Sequence, residues 1–185
     1  MALTKTPVCD FGKKAEDFKL KSINNEIVNL KDIKGEKATL IMFICNHCPY
    51  VKAIIKDLAR DCNELKQYGI NSVAIMSNDT KNYPEDSFDN MIKFAKTNNF
   101  GKINYLIDET QEIARKYGAV CTPDFFGYNK ELKLQYRGRF RELKDLKPIS
   151  SGDSDLKVAM KMISKTQAGP KEQTPSMGCN IKWFN

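Results

Sequence analysis

Cys45-Asn46-His47-Cys48-Pro49-Tyr50-Val51 is the stretch from which the fold is read. It follows the most apolar run of the chain, Ala38-Thr39-Leu40-Ile41-Met42-Phe43-Ile44. That run has strand length and no polar alternation, which predicts a strand buried on both faces of a parallel sheet. On the other side, Val51, Ile54, Ile55, Leu58, Cys62 and Leu65 recur at helical spacing. They predict a helix from Cys48 to Tyr68 with one apolar face. Pro49 suits its first turn, where no amide donor is needed, and Gly69 suits its end. A Cys-x-x-Cys pair therefore falls at the junction of a buried strand and a helix.

The pattern extends outward from this junction. Upstream, apolar positions alternate from Asp17 to Leu30 on either side of Asn24-Asn25, which predicts a β-hairpin. Downstream come a buried strand over Ile70 to Ser77 and a helix over Ser87 to Asn98. Phe88, Met91, Ile92 and Ala95 are expected on the buried side of that helix. A strand over Ile103 to Ile107 and a helix over Glu109 to Tyr117 follow, the latter closed by Gly118. A strand starts after Pro123, turns at Asn129-Lys130 and returns over Leu132 to Gly138, predicting an antiparallel hairpin at the sheet edge. A last helix is expected over Ser154 to Lys165, packing through Leu156, Val158, Ala159, Met162 and Ile163. The expected architecture is α/β: a central mixed β-sheet flanked by helices, with an N-terminal β-hairpin extension. Residues 1–185 read as a single domain, with a core over about 15–165 and a flexible-looking tail over 166–185.

Composition narrows the function classes. The chain has 185 residues, 41% of them hydrophobic and 29% charged, as in a globular domain. Its apolar runs are far too short to span a membrane, and Met1 to Pro7 lacks the layout of a secretory signal. The expectation is a cytoplasmic protein without a membrane partner. The net charge of +7 is spread among acids, as in Lys13-Lys14-Ala15-Glu16-Asp17, with no nucleic-acid motif. It reads as solvated surface, so no nucleic-acid partner is expected.

Six cysteines are too few for a disulfide scaffold in a chain this long, so the Cys45/Cys48 pair reads as catalytic or metal-binding. Disulfide exchange needs a thiolate, and a helix N-terminus lowers a thiol pKa. Cys45 is expected to be the exposed attacking thiol and Cys48, one turn inward, the resolving one. His47, the only histidine, can add positive charge or a hydrogen bond; otherwise it is an exposed helix-end residue. Cys121 and Cys179 are candidate accessory thiols, the first near Pro123 and the second in the tail. Cys62 falls on the apolar helix face and reads as core, while Cys9 is uninformative. Asp108-Glu109 and Glu85-Asp86 read as helix-start acids that complement the dipole. Zinc needs about four ligands and a second Cys-x-x-Cys or a His pair is missing, so no metal is assigned. No cofactor is expected.

Three matches carry a family resemblance: Cys45-x-x-Cys48 after a buried strand, Thr122-Pro123 at the start of the terminal hairpin, and the combination of Cys45-Asn46-His47-Cys48-Pro49-Tyr50-Val51, Cys121-Thr122-Pro123-Asp124-Phe125-Phe126 and the terminal Gly178-Cys179-Asn180-Ile181-Lys182-Trp183. Together they resemble the peroxiredoxin-like branch of the thioredoxin superfamily, the redoxin or AhpC/TSA type, over roughly residues 15–183. The resemblance implies a thioredoxin-like sandwich and a cis-proline at Pro123 facing the dithiol, with Thr122 at the substrate-binding backbone. It also departs from both parents. Thioredoxin's buried acid, six residues before its first cysteine, corresponds here to Thr39. The proline and the Thr or Ser that precede a peroxidatic cysteine are missing from Leu40 to Ile44.

The resulting expectation is a thiol–disulfide oxidoreductase cycling Cys45 and Cys48, with Cys45, His47, Cys48 and Pro123 catalytic. Its partner would be a protein or small-molecule disulfide or thiol; the electron donor is unknown from the sequence. The alternatives are a thiol peroxidase using Cys45, and a non-catalytic metal-binding or metal-delivery module.

Overall fold

The computed structural model describes residues 2–184. In chain order the elements are β1 (Leu3–Lys5), β2 (Lys19–Ser22), β3 (Ile27–Asn29), α1 (Leu30–Ile33), β4 (Ala38–Phe43) and α2 (Pro49–Leu65). Then come β5 (Ile70–Met76), α3 (Phe88–Thr97), β6 (Asn104–Ile107), α4 (Glu112–Tyr117), β7 (Cys121–Thr122) and β8 (Asp124–Asn129). The chain closes with β9 (Leu134–Tyr136), β10 (Leu143–Lys144), β11 (Lys147–Pro148), α5 (Asp155–Thr166) and β12 (Met177–Asn180).

Seven strands form the central mixed sheet in the order β3-β2-β6-β5-β4-β8-β9. β4 pairs with β5 in parallel and with β8 antiparallel, so it is the strand buried deepest. All six of its residues are buried. Successive side chains point to opposite faces. Leu40 and Met42 enter the layer that holds α2, α3 and α5, while Ile41 and Phe43 enter the layer that holds α1 and α4. The upstream hairpin, β2 with β3, joins the sheet edge by pairing β2 with β6. This is an α/β thioredoxin-like fold with small additional sheets, as the strand and helix pattern predicts.

Helix ends follow their local chemistry. Cys48 is the N-cap of α2 and Pro49 its first residue. A single 3-10 turn, Lys66–Tyr68, follows α2, and Gly69 closes it in the left-handed conformation with φ 73°. Ser154 caps α5 by accepting a hydrogen bond from the Lys157 amide.

Four expectations need correction. α4 starts at Glu112 rather than Glu109, because the Asp108 carboxylate accepts from the Ile113 and Ala114 amides and so caps the helix from outside. In α5, Leu156, Ala159, Met160 and Ile163 are buried, whereas Val158 and Met162 are 56% and 41% exposed. The i, i+3, i+4, i+7 face passes through Met160 and leaves those two outside. In α3, Met91 and Ala95 share the buried face, and Ile92, one position round, is exposed. The residues around Cys179 are not a loose tail. They form β12, the central strand of a three-stranded sheet ordered β1-β12-β7.

Candidate active site

Three elements converge on the cysteine pair. The Ile44 amide bonds the Ile75 carbonyl at 3.0 Å and carries the chain in register past the end of β4 to Cys45. Cys48 begins α2. From the other side comes β7, which ends at Thr122 and is joined to Pro123 by a cis peptide bond. Thr122 meets both sulfurs. Its Oγ1 lies 3.3 Å from Cys45 Sγ and its carbonyl oxygen 3.1 Å from Cys48 Sγ.

β12 closes the site from a third direction. Cys179 pairs with Thr122 and Asn180 with Cys121. The approach requires Gly178, because a Cβ there would stand 2.1 Å from the Thr122 carbonyl oxygen. Cys179 neighbours Cys48, and its amide and thiol favour the Cys48 thiolate. Both sulfurs of the pair are consequently buried, Cys45 to 1% and Cys48 to 0% exposure. The expectation of an exposed Cys45 is thus overturned: Thr122 caps it, and the β7–β12 pairing seals the neighbouring thiol.

A buried acid completes the site, and the sequence reading missed it. Asp86, in the 3-10 turn Pro84–Asp86, is fully buried rather than a surface helix-start residue. Its carboxylate accepts from the Asn46 amide at 2.8 Å, the His47 amide at 3.3 Å and Asn78 Nδ2 at 2.8 Å. It also lies 2.7 Å from His47 Nδ1. Tyr83 stacks on the imidazole with ring centroids 5.6 Å apart and 9° between planes. Asn46 is bound on all sides: it donates to the Glu85 carbonyl and accepts from the Tyr105 hydroxyl. Thr39 spends its hydroxyl on the Gly35 amide, so the acid of this site enters from a loop instead of from β4. Asn78 also accepts from the Lys182 amide, tying the C-terminal segment to the same network.

The electrostatics differ for the two thiols. The Cys45 thiol, the Val51 amide and the Cys179 amide and thiol favour the Cys48 thiolate. Burial and the nearby Thr122 carbonyl oppose it. The first set wins, and the Cys48 pKa falls to about 5, with Cys45 donation the largest cause. Cys45 is pushed well up, first by that same hydrogen bond to Cys48, then by burial and the Asp86 charge. The two thiols are linked through one hydrogen bond, and these contacts favour the thiolate on Cys48 and the protonated form on Cys45. Asp86 raises the His47 pKa through its hydrogen bond, against burial. Asp86 itself is lowered, because His47 and Asn78 outweigh the cost of its burial.

The other cysteines separate cleanly. Burial and the Cys48 charge push Cys179 up to about 11. Cys121 is buried, with its thiol 3.6 Å from the Pro123 carbonyl, and burial raises its pKa. Cys62 packs in the core, 3.9 Å from Met42 Sδ. A ligating atom of each of Cys45, His47 and Asp86 lies within 4.8 Å of the others, a donor set for three of the four ligands of a zinc site. The carboxylate oxygens in it already accept four hydrogen bonds.

A family model for AhpC/TSA proteins matches residues 11–139. The chain belongs to the AhpC/TSA family. The match takes in Cys45, Cys48 and Pro123 and stops short of β12. An uncharacterized conserved protein from Geobacillus kaustophilus is 39% identical with a TM-score of 0.94, over 100% of this chain and 97% of that one. A hypothetical protein from Sinorhizobium meliloti is 35% identical with a TM-score of 0.90, over 98% of each chain. The first of these relatives is matched over the whole length of the chain, β12 included. A secreted disulfide oxidoreductase from Mycobacterium tuberculosis shares the fold at 16% identity, with a TM-score of 0.56 over 72% of this chain and 87% of that one. Among curated proteins, none matches the chain. Among the described residues, no helix is long and apolar enough to cross a membrane.

Proposed function

We propose that this AhpC/TSA-family chain is a thiol–disulfide oxidoreductase that cycles Cys45 and Cys48 between dithiol and disulfide. The observation that carries the reading is the contact of both sulfurs with Thr122, immediately before cis-Pro123. In the forward step Cys45 attacks a substrate disulfide from the minor form of the pair, in which the shared proton sits on Cys48 and the thiolate on Cys45. One substrate thiolate leaves, and Cys45 is joined to the other half as a mixed disulfide. The departing thiolate takes the proton from Cys48, which then attacks Cys45 and releases the second thiolate. The dithiol loses two electrons and the substrate disulfide gains them. His47, held by Asp86, keeps positive charge beside Cys45 as negative charge builds on its sulfur. Cys179 is an accessory thiol: it neighbours Cys48 and can exchange with it in the oxidised state.

The test is oxidation of the reduced chain by a model disulfide, followed by peptide mapping. A Cys45–Cys48 disulfide and its loss in Cys45→Ser are expected. Unchanged disulfide turnover in Cys45→Ser would sink the proposal.

The burial of both sulfurs favours a second reading, reduction of a small hydroperoxide. The Cys45 thiolate would attack the terminal oxygen, breaking the O–O bond; the remainder leaves as an alkoxide or hydroxide that takes up a proton, Cys45 becomes a sulfenic acid, and Cys48 displaces water to form the same disulfide. Stopped-flow kinetics with hydrogen peroxide decide this; a rate no greater than that of a free thiolate removes it.

A further inference from the structure

Beside cis-Pro123 opens a groove of about 410 Å³, within the range typical of small-molecule sites. Its walls are apolar in part, from Tyr50 and Ile54 at the start of α2 and from Phe140 and Leu143. Three cations line it, Lys5, Arg139 and Arg141, against two acids, Glu142 and Asp145. Arg139 is already engaged by Asp155 at 2.6 Å and Glu142 at 3.2 Å.

Arg141 is different. It is nine-tenths buried, at 9% exposure. Its terminal nitrogens donate only to the carbonyl oxygens of Ser150 and Gly152, at 3.3 and 3.1 Å. Its Nε is buried with no hydrogen-bond partner, and no carboxylate among the described residues pairs with the guanidinium. The Phe140 ring lies 5.2 Å away on its face. A guanidinium held out of water with one donor unused and its charge uncompensated is costly unless an anion arrives. A carboxylate matches the donor fork of arginine.

We propose that this groove selects carboxylate-bearing, low-molecular-weight disulfides as substrates, with Arg141 as the residue that reads the carboxylate and Lys5 adding to its field. The assignment rests on the oxidoreductase reading above and adds the substrate class. The chemistry is unchanged: the dithiol gives two electrons to the disulfide, which leaves as two thiols once the solvent supplies the missing proton.

The test uses three disulfides that share a bis(ethyl) disulfide core: dithiodipropionate, hydroxyethyl disulfide and cystamine, which are anionic, neutral and cationic. Single-turnover oxidation of the reduced full-length chain is followed by alkylation and mass spectrometry. Each rate is divided by the rate of the same disulfide with dithiothreitol. The expected order is anionic, then neutral, then cationic, with a gap of about tenfold between the ends, as for one charge-assisted hydrogen bond. Arg141→Gln and, separately, the surface variant Lys5→Gln should each shrink that ratio, and added salt should shrink it further. Equal normalised rates for the three disulfides, or an order that survives both variants, would overturn the proposal. A second arm needs no redox chemistry: calorimetric binding of dithiodipropionate and cystamine to the Cys45→Ser, Cys48→Ser double variant. Binding of the anion alone, lost on adding Arg141→Gln, supports the groove even if disulfide turnover fails; binding of neither, or of both equally, refutes it. Failure of all three disulfides to oxidise Cys45 and Cys48, with selective anion binding intact, counts against the oxidoreductase reading only.

Discussion

Asp86 holds His47 at 2.7 Å across 39 residues of chain, from a 3-10 turn to the middle of the Cys-x-x-Cys motif. The carboxylate has 0% side-chain exposure and the imidazole 13%. The interaction fixes the loop between the two cysteines, because Asp86 also accepts the Asn46 and His47 amides. It makes the only histidine of the chain a reporter of the site.

The imidazole proton resonances should titrate above the ordinary histidine value of about 6.5, and Asp86→Asn should bring the midpoint down. Proton NMR across a pH series reads both. A midpoint unaffected by Asp86→Asn would remove the ion pair as the cause.

Stability should follow the same pair with a definite sign. The raised His47 pKa contributes stability that is full below about pH 6.5 and lost as pH rises through the folded-state value. The lowered Asp86 pKa contributes stability present above about pH 3.9 and lost as pH falls through its folded-state value. The pair therefore matters most between about pH 4 and 6.5. Asp86→Asn should cost about 2–4 kcal/mol there, and less at higher pH, in denaturant unfolding curves.

Ultraviolet absorbance of the reduced protein should show one thiolate titrating near 5, assigned to Cys48. Cys48→Ser should abolish it. Cys45→Ser should move the Cys48 midpoint upward, since donation from Cys45 is the largest stabilising contact. A titration of Cys48 that is unchanged in Cys45→Ser contradicts the shared proton.

A stabilised thiolate makes the corresponding disulfide more oxidising. The Cys45/Cys48 couple should accordingly lie above thioredoxin's reduction potential of about −270 mV when equilibrated against a glutathione buffer. A value at or below that figure would show that the native disulfide is stabilised as much as the thiolate.

Gly178→Ala should disturb the dithiol although it lies far off in sequence, because its Cβ would press on the Thr122 carbonyl at 2.1 Å. The expected result is a loss of about 1–3 kcal/mol in stability, the usual cost of overpacking, and faster alkylation of Cys48 as β12 loosens. Cys179→Ser keeps the strand and removes only the thiol, so it should spare stability and change the set of disulfides trapped on oxidation. Identical disulfide maps with and without Cys179 would exclude it as an exchange partner.

What was legible in the sequence was local. The β4 run, the apolar face of α2 and the Cys-x-x-Cys pair between them could all be placed, because strand and helix periods act over a few neighbouring residues; Thr122-Pro123 was placed against the dithiol by the family resemblance. The uniformly buried strand and the left-handed Gly69 carry those signals directly. The partners of the site were not legible. Glu85-Asp86 looks the same whether it faces water or His47, and Gly178-Cys179 has no period that distinguishes a tail from a central strand. Tertiary structure decided these through contacts 39 or more residues apart: Asp86 with His47, Thr122 with both sulfurs, β12 against β7. It also decided the charge state of the dithiol, since a thiol pKa depends on which amides, carbonyls and charges surround the buried sulfur, and only the folded chain brings those groups together.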